Sequence, residues 1–316
     1  MEKMDKNRTQ TKNIGLIRFK TKYISVRFLG SVCWKIIRTI ILLGLGFIIL
    51  YPIIVKVIAS FMTVDDLIDS SVKYFPRHPV LDNIKYVYYK LNYPRSLLNS
   101  IAFSGVIAIA QVMVSTFVGY GFARFKFFGK NIIFGLLMLT LLMPPQATLV
   151  PLFLTFKYFS IGPIQINLLN TVWPFIILSL TGLNLKGGLY IFMMRQYYRG
   201  LPKELEEAAF IDGAGAFKTF FYIVLPNGIP LMVTIFLFAF TWQWSEAIYT
   251  PLLLPNIQVL TRLMLNVISP NRDIDPAYLS VIKNTAGLFT IFPIIVVYLS
   301  LQRYFIKGIE RSGIVG

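Results

Sequence analysis

Residues 206–226, "EEAAFIDGAGAFKTFFYIVLP", lie between two long apolar stretches, and with Glu204 just upstream they bring four carboxylates and a Gly-Ala turn into a chain otherwise poor in acids. Leu201-Pro202 opens the segment, and a proline at the first helical position needs no donor there. Glu204, Glu206 and Glu207 fall in the first turns, where acidic groups complement the helix dipole, and Gly213 supplies a stop. The pattern predicts a helix of about three turns lying parallel to a membrane surface. Leu205, Ala208, Ala209 and Asp212 share a face by their i, i+3, i+4, i+7 spacing. Ala208, Ala209 and Gly213 keep part of that surface low, so another protein can approach the backbone while Glu207 offers a carboxylate to an arginine or lysine. A helix lying in lipid headgroups would instead place basic and large apolar residues on opposite faces.

The rest of the chain sets the context. Of 316 residues, 56% are hydrophobic, 15% aromatic and only 14% charged, the make-up of a polytopic membrane protein. Six stretches reach the roughly 20 apolar residues that a bilayer core requires: about 36–62, 98–123, 131–156, 167–193, 221–245 and 284–306. The net charge of +17 follows this pattern. Lysine and arginine number ten in residues 1–38, three in 124–130, five in 186–218 and three in 303–316, against five in 62–99, one in 157–166 and three in 246–283. Positive loops stay inside, which places both termini in the cytoplasm. With no basic block outside that pattern, a nucleic-acid role is excluded, and the tail up to Lys35 is expected to lie against anionic headgroups. The first helix reads as a retained signal anchor, since many charges precede it and no short apolar region with a cleavage site is present. Cys33 is the sole cysteine and His78 the sole histidine, so no disulfide, metal cluster or catalytic constellation is expected.

In the loop, Glu207-Ala208-Ala209, Gly213, Ile223 and Leu225-Pro226 keep the spacing of the signature of permease subunits of binding-protein-dependent ABC importers. The chain resembles that family from about residue 95 to its end. It looks closest to the carbohydrate branch, similar to the maltose permease component G, through "GYGFARFKFFGK" (119–130), "LMPPQATLVPLF" (142–153), "MRQYYRGLPKELEEAAFIDGA" (194–214) and "QRYFIKGIERSGIVG" (302–316). The resemblance implies an all-α, six-span type I importer transmembrane domain over residues 36–316, preceded by a basic cytoplasmic tail, 1–35. It implies an external loop, 62–97, and a coupling loop, 194–220, in which Glu207, Ala208, Ala209, Asp212, Gly213 and Ala214 form the ATPase-coupling site. The implied partners are a second permease subunit, two ABC ATPase subunits carrying ATP and Mg, and an extracellular solute-binding protein. The implied substrate is a sugar, the place a bacterial inner membrane.

Sugars stack their C–H faces on aromatic rings while nearby polar groups bond the hydroxyls. Trp242, Gln243, Trp244 and Glu246, near the outer end of the fifth stretch, supply that mixture as the candidate substrate pathway. No Walker A pattern occurs, so ATP hydrolysis belongs to separate subunits and no cofactor is expected in this chain. Two alternatives remain: an importer of a non-sugar solute, or an ion-driven secondary transporter or membrane enzyme. The second needs carboxylates within the spans, which hold almost none.

Overall fold

The computed structural model describes residues 26–72, 74–184, 186–267 and 275–313. They divide into two units, residues 1–79 and 80–316. The first contains α1 (Val26–Ala59) and α2 (Val64–Ile68). Because "VRFLGSVCWK" contains no proline, the helix runs back through it, and residues 26–35 are helical rather than part of a tail. Residues 1–25 of the expected tail lie outside the described residues. Behind α1 the chain is ordered by short-range polar contacts: Thr63 caps α2 by accepting from Asp66 N, and Asp69 accepts from Ser71 and pairs with Arg77 at 2.9 Å.

The second unit runs α3 (Asp82–Lys90), α4 (Tyr93–Arg124), α5 (Lys130–Leu139), α6 (Pro145–Lys157), β1 (Phe159–Ile161), β2 (Ile164–Ile166), α7 (Trp173–Leu180), α8 (Gly187–Gly200), α9 (Glu204–Ile211) and α10 (Ala216–Thr219). A π-helical turn, Phe220–Val224, then leads into α11 (Leu225–Trp244), followed by α12 (Tyr249–Leu253), α13 (Leu260–Leu265) and α14 (Pro276–Gly313). At the centre stands α4, packed against α8, α11 and α7. Gly119 permits the closest approach, since a Cβ there would lie 2.6 Å from Met194 Cβ of α8. Small residues at such crossings let membrane helices gain van der Waals contact that lipid cannot provide. Two side-chain clusters result. One is built on Tyr190, Met194, Tyr198, Ile235 and Trp244, the other on Phe103, Phe156, Phe175 and Leu253.

Among the described residues four helices are long and apolar enough to cross a bilayer: Gly30–Ala59, Tyr93–Arg124, Ala216–Trp244 and Pro276–Ile306. The third and fourth expected spans are each interrupted instead. Pro144-Pro145 separates α5 from α6, because each proline lacks a donor and disfavours helix at the residue before it. Between α7 and α8 the chain turns at Gly182, whose φ of +73° suits glycine. The all-helical expectation also needs one addition, the antiparallel hairpin of β1 and β2, three residues each, turning at Gly162-Pro163.

Candidate functional site

The segment that opened the sequence reading forms α9, eight residues long and so shorter than the three turns expected, with Glu204 rather than Pro202 as its first helical residue and Lys203 as its N-cap. It ends in a Schellman cap: Gly213 N–H donates to Phe210 O at 3.1 Å and Ala214 N–H to Ala209 O at 2.9 Å, with Gly213 at φ +78°. One carboxylate turns inward. Glu206 is 8% exposed and accepts from Tyr120 Oη at 3.0 Å and Arg124 Nε at 2.6 Å, while Arg124 Nη2 donates to Leu201 O at 2.9 Å. The end of α4 thus grips α9 by its first turn.

The opposite face of α9 is open. Glu207, Ala208 and Asp212 are exposed, and so are Leu205, Phe210 and Ile211, the last at 86%. Glu207 and Asp212 have no side-chain partner among the described residues. Behind α9, the ring of Phe220 in the π turn packs 4.8 Å from Tyr120 and 5.3 Å from Phe117, and Tyr120 meets Tyr198 of α8 edge-on at 5.6 Å. α9 is thus joined to α4 by a buried ion pair, and α4 to the π turn and to α8 by packed rings.

A cavity of about 480 Å³ opens between α6, α7, α11, α12 and the segment that follows α5. Its polar or aromatic lining residues include Thr148, Asn184, Lys186, Trp242 and Tyr249. Lys186 Nζ stands 4.9 Å from the centre of the Trp242 ring. Tyr249 Oη donates to Pro145 O at 2.9 Å and lies 2.6 Å from Thr148 Oγ1, fixing the cavity wall. Groups of this kind can stack a ring and bond hydroxyls.

Residues 88–311 match the family described as binding-protein-dependent transport system inner membrane component. The chain belongs to that family. It is a transport permease subunit of the membrane and not an enzyme, and membership implies ATPase and binding-protein partners. Among its relatives, the arabinooligosaccharides transport system permease protein AraQ of Halalkalibacterium halodurans is 28% identical, over 86% of this chain and 93% of that one. The galactooligosaccharides transport system permease protein GanQ of Bacillus subtilis is 27% identical, over 88% and 94%. The fold is shared with a solved bacterial ABC transporter involved in the import of the acidic polysaccharide alginate, at a TM-score of 0.68 and 19% identity over 87% of this chain and 98% of that one.

In this permease subunit the structure divides the residues that sequence grouped. Ala209 is buried with Glu206, so the expected low surface of Ala208, Ala209 and Gly213 is split, and Ala214 is half-buried. Of the four pathway candidates only Trp242 lines the cavity. Trp244 is in the core, its Nε1–H donating to Thr290 O at 3.0 Å, and Gln243 is buried with its Nε2 unpartnered. Glu246 caps α12, accepting from the N–H groups of Ile248 and Tyr249, both at 2.7 Å, and from Thr250 N–H, and so orients Tyr249. Three residues were missed. Glu206 and Arg124 were hidden because a helix-dipole role already accounted for the acid, although "EE" on a helix forces the two carboxylates about 100° apart. Lys186 was counted with the cytoplasmic loop, but it precedes the fourteen residues of α8 and reaches Trp242 instead.

Proposed function

We propose that this chain is one of two permease subunits of an ATP-driven importer of oligosaccharides, forming half of the translocation path and receiving ATPase motion through α9. The observation that carries the reading is the two-sidedness of α9. Its inner face is locked to α4 through Glu206, while Glu207, Ala208, Ile211 and Asp212 present an acidic and apolar surface that fits a cleft in a separate subunit. Glu207, Ala208, Ala209, Asp212, Gly213 and Ala214 constitute the coupling site, Ala209 and Gly213 by shaping it. The ATPase subunits hold ATP and Mg, and their closure moves α9 so that the bundle alternates between outward-facing and inward-facing states.

The cavity bounded by Trp242, Lys186, Thr148 and Tyr249 is this chain's share of the substrate path, completed by a second, different permease subunit. Oligosaccharides are the preferred class because the relatives named above carry arabino- and galactooligosaccharides in their names and because the lining mixes a stacking ring with hydroxyls. The chain crosses a bacterial inner membrane six times, with both termini in the cytoplasm, residues 62–97 facing an external binding protein and residues 194–220 facing the ATPase.

The test is uptake of labelled arabinotriose and galactotriose by cells carrying the whole transporter, together with ATPase activity of the purified complex. Replacing Glu207 or Gly213 by alanine is expected to abolish uptake and the stimulation of ATPase by loaded binding protein, with membrane insertion intact. Unchanged uptake in both variants would remove α9 from the coupling role. Transport of neither sugar by the unaltered complex would remove the substrate class.

A further inference from the structure

Four cations gather at the end of the bundle that carries α9, with no carboxylate among them. Lys126 belongs to the turn after α4, Lys130 is the first residue of α5, and Arg195 and Arg199 lie in the last turns of α8. Among the described residues none of the four has an acidic group within salt-bridge distance; the acid nearest in sequence that pairs, Glu206, is taken by Arg124. Lys130 Nζ donates to Phe125 O at 2.8 Å, and the Arg195 guanidinium lies 4.0 Å over the Phe134 ring with its Nε buried and unpartnered. Burial and the like charges of Arg195, Arg199 and Lys126 hold the Lys130 ammonium below the usual lysine range. Mutual repulsion of this kind is unfavourable unless an anion relieves it.

Beside these cations lies a recess of about 480 Å³, lined by Lys126, Phe127, Gly129, Lys130, Asn131 and Ile132. Gly129, at φ +74°, begins α5 with no side-chain cap and no acid in the first turn, so the first amides of that ten-residue helix add partial positive charge. The surroundings are apolar. Phe125 and Phe127 are exposed and Phe128 fully so, while Ile132, Leu136 and Leu139 form an exposed stripe running along α5 away from the charges.

We propose that this recess holds the phosphate of an anionic phospholipid, its headgroup between Lys126 and Lys130 and an acyl chain along Ile132, Leu136 and Leu139. The acids of a partner protein would satisfy the cations equally well. They would give no reason for three exposed phenylalanines at the level of the charges or for an apolar stripe leading from them, an arrangement that fits the boundary between headgroups and chains.

The test uses the whole transporter in nanodiscs of phosphatidylcholine doped with phosphatidylglycerol, followed by native mass spectrometry after detergent washing. The unaltered complex is expected to retain phosphatidylglycerol in preference to phosphatidylcholine. The double variant K126Q/K130Q is expected to weaken that retention roughly thirtyfold, and the charge-matched K85Q/K90Q on α3 to leave it unchanged. Should the double variant not assemble, raising the salt around the unaltered complex gives the same reading, since retention held by these charges falls as they are screened. Equal retention of the two lipids, or retention indifferent to both the double variant and salt, overturns the proposal. So does displacement of phosphatidylglycerol by inorganic phosphate alone at millimolar concentration, which would make the site one for a free anion.

Discussion

Inside the joint between α4 and α9, Glu206 accepts from Tyr120 and Arg124 while its neighbour Glu207 is exposed. Removing one partner of a buried pair costs more than the pair contributes, because the remaining charge is left without solvent. Glu206→Ala is therefore expected to lower the stability of the purified complex by about 3–5 kcal/mol. Glu206→Gln should cost less, since an amide oxygen still accepts from Tyr120. Glu207→Ala should shift stability by no more than about 0.5 kcal/mol, as exposed sites do. Thermal unfolding of the three variants checks the order, and a Glu207 variant as unstable as Glu206→Ala would show that the inner and outer carboxylates had been exchanged. Gly213→Ala should add a smaller loss of roughly 1 kcal/mol, since only its positive φ resists the change and a Cβ meets nothing nearby. In the sequence, Gly213 was legible as a stop because its φ is a local requirement. Which of two adjacent glutamates turns inward was not, because that depends on Arg124, eighty-two residues away.

Between α10 and α11 the helix widens into a π turn over Phe220–Val224, and the two prolines that follow account for it. Pro226 offers no N–H to the carbonyl one turn back, and Pro230 repeats the loss. Leu225 N–H reaches Phe220 O instead, and the Asn227 side chain donates to Ile223 O at 2.7 Å, so part of the missing bonding is recovered. An irregular turn seated beside the Phe220 and Tyr120 rings is a natural joint between α9 and the long helix beyond it. Pro226→Ala restores a donor and favours regular α geometry, which moves Phe220 off its partners. The chain should remain in the membrane at normal abundance while uptake by the whole transporter drops about tenfold, a change of roughly 1.4 kcal/mol in the transport barrier. Unaltered uptake would show that the π turn is only a packing adjustment. Pro144-Pro145 stands in the sequence as a local cause of the break between α5 and α6. The break between α7 and α8 has no such sign, since glycine is frequent in membrane helices and only the φ of Gly182 marks it. That hidden break is also why Lys186 was assigned to the wrong end of its helix.

Across the whole molecule, composition and charge distribution made the membrane class legible and the spacing from Glu207 to Pro226 made the family legible, but the cavity proposed as the substrate path is formed by elements distant in sequence. Trp242 and Trp244 illustrate the limit. Two residues apart on α11, they point about 200° apart around its axis, one to the cavity and one to the core. Trp244 fills the core and bonds Thr290, while its carbonyl accepts from Thr261 Oγ1. Trp244→Ala should destabilise the complex by about 3–5 kcal/mol, the cost of emptying a large buried site, and should lower uptake only by lowering the amount of assembled protein. Trp242→Ala leaves the core intact, removes the ring beneath Lys186, and should depress uptake per assembled transporter by about tenfold, roughly one stacking contact. Measuring uptake and unfolding temperature on the same preparations separates the two. If Trp242→Ala transports normally at normal stability, the cavity is not on the path. If it loses stability as Trp244→Ala does, its contact with Lys186 supports the fold. Loss of uptake at full stability is the pattern that a substrate-facing ring requires.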